Sequence, residues 1–491
     1  MASAPEQTFP ASQSGAAAPA EQKFSRLTLT AMVVGSMVGA GIFSLPGRFG
    51  AATGPFGALI AWTIAGGGML MLAFVFQFLA ERKPDLDSGI FAYAKAGFGN
   101  YLGFAAAFGF WAGTCVGNTT YFILIKSTLG LFFPVFGDGN TVIAVLCSSV
   151  ILWTVHFMIL RGIKEAAFIN TIVTLAKVIP IIVFVVFVAL AFDSELFAAS
   201  FWGGGEYSAG DIFNQVRSTM LVTVFVFIGV EGASVYSRYA KKRSDVGFAT
   251  VTGFIGVLCL MILVTLLCYG VLTRPELAAL RQPSMAGALE AVVGPWGAKF
   301  VSAGLIVSVL GAYLAWSLLA AEVAFSAARS DLMPAFLKHE NHNQVPSTAL
   351  WLTNIIVQLF LIVTLFAQYA FDIALELTSA MTLIPYVLVA GYALKLAQRG
   401  ETYEVTPEER RRDLIVAVIA TVYTAFMIVA GGLKFVLLSC ILFAPGTLLF
   451  YLARREQNLQ VFTALERLLF FAIVAGAIVG IYALATGIIA I

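Results

Sequence analysis

The sequence predicts an all-α integral membrane protein with about thirteen transmembrane helices. Ten of them form a 5+5 inverted repeat whose first and sixth helices are broken. Three observations carry this. Of the 491 residues, 60% are hydrophobic and only 11% charged, where a soluble domain carries about 25% charged residues. The apolar residues gather into runs that mostly exceed the roughly 20 residues needed to cross a bilayer. Two of those runs, each opening one half of the chain, are interrupted by glycines.

Taken in order, residues 1–24 are rich in Ala, Ser, Pro and Gln, a composition that predicts a disordered cytoplasmic tail. They are not expected to be a signal peptide, because the start is not basic and the first apolar run is too long for a signal core. Apolar runs follow at 27–50, 55–80, 99–131, 139–160 and 165–192, then at 211–239, 248–272, 287–327, 347–367 and 371–397, and last at 412–430, 434–453 and 467–490. The first five make one repeat over 25–192. The next five make a second over 211–397. An odd number of spans per half inverts the second half relative to the first. The acidic, glycine-rich stretch 193–210 joins them, and 287–327 is long enough to include a helical lead-in. Three additional spans in 412–491 lie outside the repeat and suit a scaffold or the contact of a homodimer.

Basic residues orient the chain. Arg82-Lys83, Lys241-Lys242-Arg243, Arg410-Arg411-Arg412 and Arg454-Arg455 all fall on the side of the N-terminus; the other side has Arg48, Arg217, Arg274, Arg281, Lys299 and Lys434, each isolated. Cytoplasmic loops hold the excess of Lys and Arg. The N-terminus is therefore predicted inside and the C-terminus outside, across the plasma (inner) membrane. A net charge of +2 implies no attraction to nucleic acid. The five cysteines all fall in apolar runs without ligand spacing and read as small buried hydrophobes rather than a disulfide or a metal site. His339 and His342 share a loop with no other ligand near them. No cofactor is implied, and no nucleophile–base pair appears at a useful spacing for an enzyme.

The first break lies in Val33-Val34-Gly35-Ser36-Met37-Val38-Gly39-Ala40-Gly41-Ile42-Phe43-Ser44-Leu45-Pro46. Each glycine weakens a helix by about 1 kcal/mol relative to Ala, and proline removes a donor. Irregular backbone at membrane depth survives only where it is buried or lines a cavity. The alternative is a small-residue packing face, since Gly35 and Gly39 have Gly-x-x-x-Gly spacing. The second break, Phe225-Val226-Phe227-Ile228-Gly229-Val230-Glu231-Gly232-Ala233-Ser234, favours the first reading. Paired broken helices in two inverted halves mark the binding site of a transporter.

Polar residues inside spans are the other candidates. Asn118 needs hydrogen-bond partners in hydrocarbon; an interhelical bond, worth ~0.6 kcal/mol on average, is the plain alternative. Lys126 stands near the outer end of its span and is expected to snorkel to the surface. Lys177 lies ~20 Å along a helix rising 1.5 Å per residue, too deep to reach either surface, and is a functional candidate. Trp316 is too deep for an interfacial belt and reads equally as core packing. The amphipathic loop 85–98 is expected along the inner interface.

Together, Gly39-Ala40-Gly41-Ile42-Phe43, Gly117-Asn118, Phe227-Ile228-Gly229-Val230-Glu231 and Trp316-Ser317-Leu318-Leu319-Ala320 resemble the amino acid–polyamine–organocation superfamily, and within it the basic amino acid and polyamine antiporters. The resemblance runs through spans 1–10. It implies that the backbone at Ala40 and Gly41 binds a substrate carboxylate at a helix N-terminus. It implies that Met37 and the carbonyls of Phe225 and Ile228 take the α-ammonium. Asn118 would meet the distal polar group. Trp316 would face the stem or cationic head, where a desolvated cation–π contact reaches ~2 kcal/mol. Glu231 would gate or couple, and Lys177 would stand where sodium-coupled relatives hold Na⁺. Exchangers of arginine for agmatine carry Ser in place of Ala40 and Trp in place of Phe225, so arginine–ornithine exchange or lysine transport fits this chain better. The alternatives within transport are a lysine or arginine permease working by proton symport or uniport, and exchange of an amino acid for its decarboxylation product, agmatine or cadaverine. A channel, which needs a pore lined by rings of carbonyls or charge, fits poorly.

Overall fold

The computed structural model of the chain describes residues 26–86, 89–162, 166–231, 243–367 and 369–489. The expected tail 1–24, the basic Lys241-Lys242 pair and the continuation of the second break beyond Glu231 lie outside the described residues. Every regular element among those described is helical.

The break in the first span falls at the glycines. Helix α1 (Arg26–Met37) and helix α2 (Gly41–Ala52) meet at a 46° bend. Helix α2 runs on through Pro46, so proline is not what interrupts the span. A Cβ on Gly41 would stand 2.6 Å from Val226 Cγ1; the neighbouring span leaves room only for glycine there. Helix α3 (Pro55–Arg82) is the second span. The amphipathic stretch forms α4 (Ile90–Phe98), which buries Phe91, Tyr93 and Ala94. Lys95 donates to Ser330 O at 2.8 Å, and Lys395 to Gly97 O at 2.6 Å. These two bonds pin α4 to the ends of distant helices.

Helix α5 (Asn100–Gly130) is buried along almost its whole length. Helices α6 (Val142–Leu160) and α7 (Ala166–Leu190) complete the first half. The joining stretch holds a short α8 (Ser194–Ala199), capped by Asp193 accepting from the backbone of Glu195 and Leu196.

Helix α9 (Ala209–Phe227) opens the second half and stops at the second break: Gly229 has φ +109. A Cβ there would stand 2.7 Å from Ser36 O, and left-handed backbone is costly for any residue but glycine. Then come α10 (Arg243–Cys268), α11 (Arg274–Ala279), α12 (Ser284–Val293) and α13 (Pro295–Arg329). The expected lead-in is α12, parted from α13 by Gly294. Helices α14 (Ser347–Val363) and α15 (Ala370–Arg399) follow.

Beyond the repeat, α16 (Pro407–Glu456) contains 50 residues. A straight helix of that length would reach ~75 Å, more than twice the ~30 Å hydrocarbon core. It is not straight: Gly432, at φ 81 and ψ 168, divides it into 407–431 and 433–456. Helix α17 (Ala464–Ala485) packs on α16 and is mostly exposed. Seven helices among the described residues are long and apolar enough to cross a membrane, and the bent α1–α2 pair makes an eighth. Helix α14 is apolar but shorter, as is the described apolar part of α7.

Helix α5 sits at the centre, against α13, α14 and α15, while α2 packs on α9, α11 and α12. Two expectations are corrected. Lys126 does not snorkel: it is buried and donates to Thr364 Oγ1 at 3.1 Å. The turn after α5 covers it, with Gly139 packed so closely that a Cβ would stand 3.0 Å from Lys126 Cβ. The cysteines are not uniformly buried. Cys115 and Cys268 are, but Cys259 is exposed on the apolar outside of α10, where it faces lipid at no cost for so apolar a side chain.

Candidate functional site at the two breaks

A small cavity, about 30 Å³, lies between the breaks. Span 1 contributes Ser36, Met37, Gly39, Ala40 and Gly41. Helix α5 contributes Thr114, Gly117, Asn118 and Tyr121. The end of α9 gives Phe225, Val226 and Ile228, α13 gives Trp316, and α15 gives Thr378 and Thr382. Met37, Ala40, Gly41, Asn118, Phe225, Ile228 and Trp316, singled out in the sequence, thus all line one space, although they come from four separate stretches of the chain.

The two ends of the site are electrically opposite. Helix α2 begins after Ala40, its N-cap residue, with no side chain capping it. Its first backbone N–H groups have no i−4 partner and make a positive end. Across the cavity, α9 ends at Phe227. The Phe225 carbonyl takes one bond, from Ile228 N–H at 3.3 Å, and keeps a second lone pair. This end is negative. The two breaks also touch directly, since Ser36 Oγ lies 3.0 Å from Gly229 O and 2.8 Å from Val33 O.

The wall opposite is amphipathic. Trp316 is half-buried, its ring 6.3 Å from that of Phe110. Asn118 Nδ2 donates to Ser317 Oγ at 3.4 Å. Its Oδ1 is buried and accepts no hydrogen bond among the described residues. The aromatic face and the open acceptor suit a ligand with an apolar stem and a donor-rich end.

Lys177 and Glu231 do not line the cavity; each stands behind one break. Lys177, buried in α7, donates from Nζ to Gly35 O at 2.8 Å, a carbonyl in the last turn of α1. Glu231 Oε2 accepts from Gly229 N–H at 3.1 Å and from Tyr386 O–H of α15 at 2.7 Å. At the far end of α2, Arg48 pairs with Asp372 at 2.7 Å and with Glu376, both on α15.

Sequence reasoning missed Ser36, Thr114, Tyr121, Thr378 and Thr382. Thr378 and Thr382 each return a hydroxyl to their own helix, at Ala374 O and Thr378 O, as threonines in apolar helices ordinarily do, so nothing in their sequence context distinguishes them. Glu376 and Arg48 were both visible as charges at span ends; their pairing was not. Among the described residues no group of His, Cys, Asp and Glu could hold a metal ion.

Comparison with known proteins places this geometry. Residues 24–436 match the amino acid permease family. The chain is 53% identical over 472 residues to the arginine/ornithine antiporter of Pseudomonas aeruginosa, covering 95% of this chain and 98% of that one. It is 41% identical to the L-lysine transport protein of Corynebacterium glutamicum, covering 98% and 99%. Among solved structures, its fold is similar to that of MhsT in complex with L-phenylalanine, with a TM-score of 0.60 at 14% identity, covering 84% of this chain and 99% of that one.

Proposed function

The chain belongs to the amino acid permease family, and from that premise we propose that it is an alternating-access antiporter exchanging cationic amino acids, arginine for ornithine. The observation that carries the reading is the convergence of seven residues on one cavity between two broken helices, with backbone donors at one end and carbonyls at the other. The relative from Pseudomonas aeruginosa gives the substrate pair.

In this reading the substrate carboxylate takes the N–H groups of Ala40 and Gly41, where a helix N-terminus favours an anion. The α-ammonium takes the carbonyls of Phe225 and Ile228, beside Met37. Asn118 Oδ1 accepts from the distal cationic group, and the Trp316 ring lies along the stem. Glu231 couples the second break to α15, and the Lys177 ammonium holds the carbonyl that the first break leaves open. The halves are 25–192 and 211–397, and 412–491 is a scaffold that can mediate a homodimer. The chain crosses the plasma (inner) membrane thirteen times, with the N-terminus cytoplasmic and the C-terminus outside.

The L-lysine transport protein among the relatives favours a second reading, lysine or arginine entry by uniport or proton symport. Radiolabelled arginine uptake into proteoliposomes separates the two. Exchange requires uptake only into vesicles preloaded with a cationic amino acid or amine; equal uptake into empty vesicles overturns it and supports the second reading.

A further inference from the structure

Five side-chain hydroxyls line the cavity, those of Ser36, Thr114, Tyr121, Thr378 and Thr382. Four of them give their hydrogen to backbone carbonyls. Ser36 Oγ stands against Val33 O and Gly229 O. Thr114 donates to Phe110 O at 2.8 Å, Thr378 to Ala374 O at 2.7 Å and Thr382 to Thr378 O at 2.8 Å. Tyr121 is the exception. It is 8% exposed, and its hydroxyl makes no hydrogen bond among the described residues. A phenol keeps its proton at neutral pH, so this donor is unused. A buried donor without an acceptor is costly, and whatever fills the cavity can relieve that cost.

Its place decides which group of a ligand it meets. Thr114, Gly117, Asn118 and Tyr121 recur at intervals of three and four along α5, the spacing of one helix face. Tyr121 thus stands about one turn beyond Asn118 on the face that lines the cavity. Its hydroxyl reaches the first break. A Cβ on Gly39 would stand 3.6 Å from Tyr121 Oη, and no other atom beyond the adjoining residues would come within 4 Å of it. Gly39 directly precedes Ala40, the N-cap of α2. The hydroxyl is therefore aimed at the positive end of that helix, where an anion is favoured and a cation is not. Ala40 brings no side-chain donor of its own, and among the described residues no Lys or Arg lines the cavity. A side-chain bond to an anion at this end falls to Tyr121.

We propose that Tyr121 is a specificity-determining residue: its hydroxyl donates to the substrate carboxylate beside the N–H groups of Ala40 and Gly41, and the site thereby takes α-amino acids in preference to the amines that their decarboxylation leaves. The proposal deepens the site reading above and rests on it. An ionised carboxylate only accepts, and a hydrogen bond to a charged acceptor is roughly twice as strong as a neutral one. Agmatine has the stem and guanidinium of arginine but no acceptor at this end. It leaves the hydroxyl and the helix N–H groups unpaired, and a site that hydrogen-bonds a substrate group rejects the analogue lacking it. Asn118 and Trp316 cannot make this distinction, because in that reading both meet parts that arginine and agmatine share.

The test is competition of unlabelled arginine and agmatine, which differ only in the carboxylate, against labelled ornithine exchange by the full chain in proteoliposomes. The unaltered chain is expected to be half-inhibited by arginine at a lower concentration than by agmatine. Tyr121→Phe keeps the ring and removes a hydroxyl that bonds nothing within the described protein, so the variant is expected to fold. It is expected to weaken arginine about tenfold, the scale of one hydrogen bond to a charged group, and to leave agmatine nearly as before. The two ligands then draw together, and the retained agmatine value shows that the variant is intact. Agmatine matching arginine in the unaltered chain overturns the proposal. So does an unchanged ratio in Tyr121→Phe, which leaves the residue as packing. Asn118→Ala separates the two levels, being expected to weaken both ligands alike through the guanidinium they share. If it leaves both unchanged, the site reading fails; if it weakens both while Tyr121→Phe leaves their ratio alone, only the carboxylate assignment fails.

Discussion

Trp316 shows what one residue contributes and what its sequence conceals. Its depth in an apolar run excludes the interfacial role that tryptophan usually has in membrane proteins. Nothing in the sequence separates a ring that faces a ligand from one that fills a core. The structure separates them: Trp316 is half-buried and lines the cavity, whereas Trp111 is fully buried and donates to Thr353 Oγ1 at 2.9 Å. Replacing Trp316 with Leu keeps most of the apolar bulk and removes the π face. The expected outcome is weaker binding of the cationic substrate by about 1 kcal/mol or more, measured as a raised half-saturation in exchange by a variant that inserts and folds normally. Unchanged affinity would return the residue to core packing. Asn118 was legible for a simpler reason, that an amide in hydrocarbon must be satisfied. Lys126 obeys the same rule and was misjudged, because sequence gave its distance from the end of the span and not the turn that folds over it.

At the scale of elements, the two broken helices were the most legible feature of the chain. Glycines inside an apolar run contradict a plain helix, and the contradiction recurs at matching places in both halves. Sequence could not say which groups support each break. Lys177 braces the first through Gly35 O, and Glu231 braces the second through Gly229 N–H and Tyr386. Both are charged groups at membrane depth, tolerable only with partners. Glu231→Gln keeps an acceptor for Tyr386 and removes the charge. It is expected to slow exchange more than it weakens substrate binding, since the proposed function places Glu231 in the element that moves and the residue lies outside the cavity lining. Comparing maximal exchange rate with equilibrium binding checks this; exchange at the original rate would leave Glu231 a structural residue. Lys177 brings its own cation and three donors to a carbonyl that could otherwise coordinate an ion. Transport is therefore expected to be independent of Na⁺, and Lys177→Ala is expected to fold but fail to move substrate. Sodium-stimulated uptake by the unaltered chain would refute the substitution.

Over the whole molecule, the inverted arrangement was legible from the parity of the spans and the hydrophobic runs. The outer helices were less so. A single run of helix from Pro407 to Glu456 hides a kink at Gly432 that only its backbone angles expose, while the sequence marks it just by Gly431-Gly432 between two apolar stretches. The interlocking of the breaks was not legible at all. Gly41 fits against Val226, and Gly229 against Ser36, with no space for a methyl group at either place. These contacts tie together the two ends of the site to which the proposed function assigns the amino acid backbone of the substrate. A pair locked together in this way is expected to present the same donors and acceptors at the same separation whichever side of the membrane the cavity opens to. The grip on the backbone is then expected to be nearly symmetric across the membrane, and a difference in affinity between the two sides is expected to arise from lining residues on other helices, Asn118, Trp316, Thr378 and Thr382 among them. A carrier built this way has no preferred direction of its own at the backbone end; the concentrations on either side decide which way each amino acid flows.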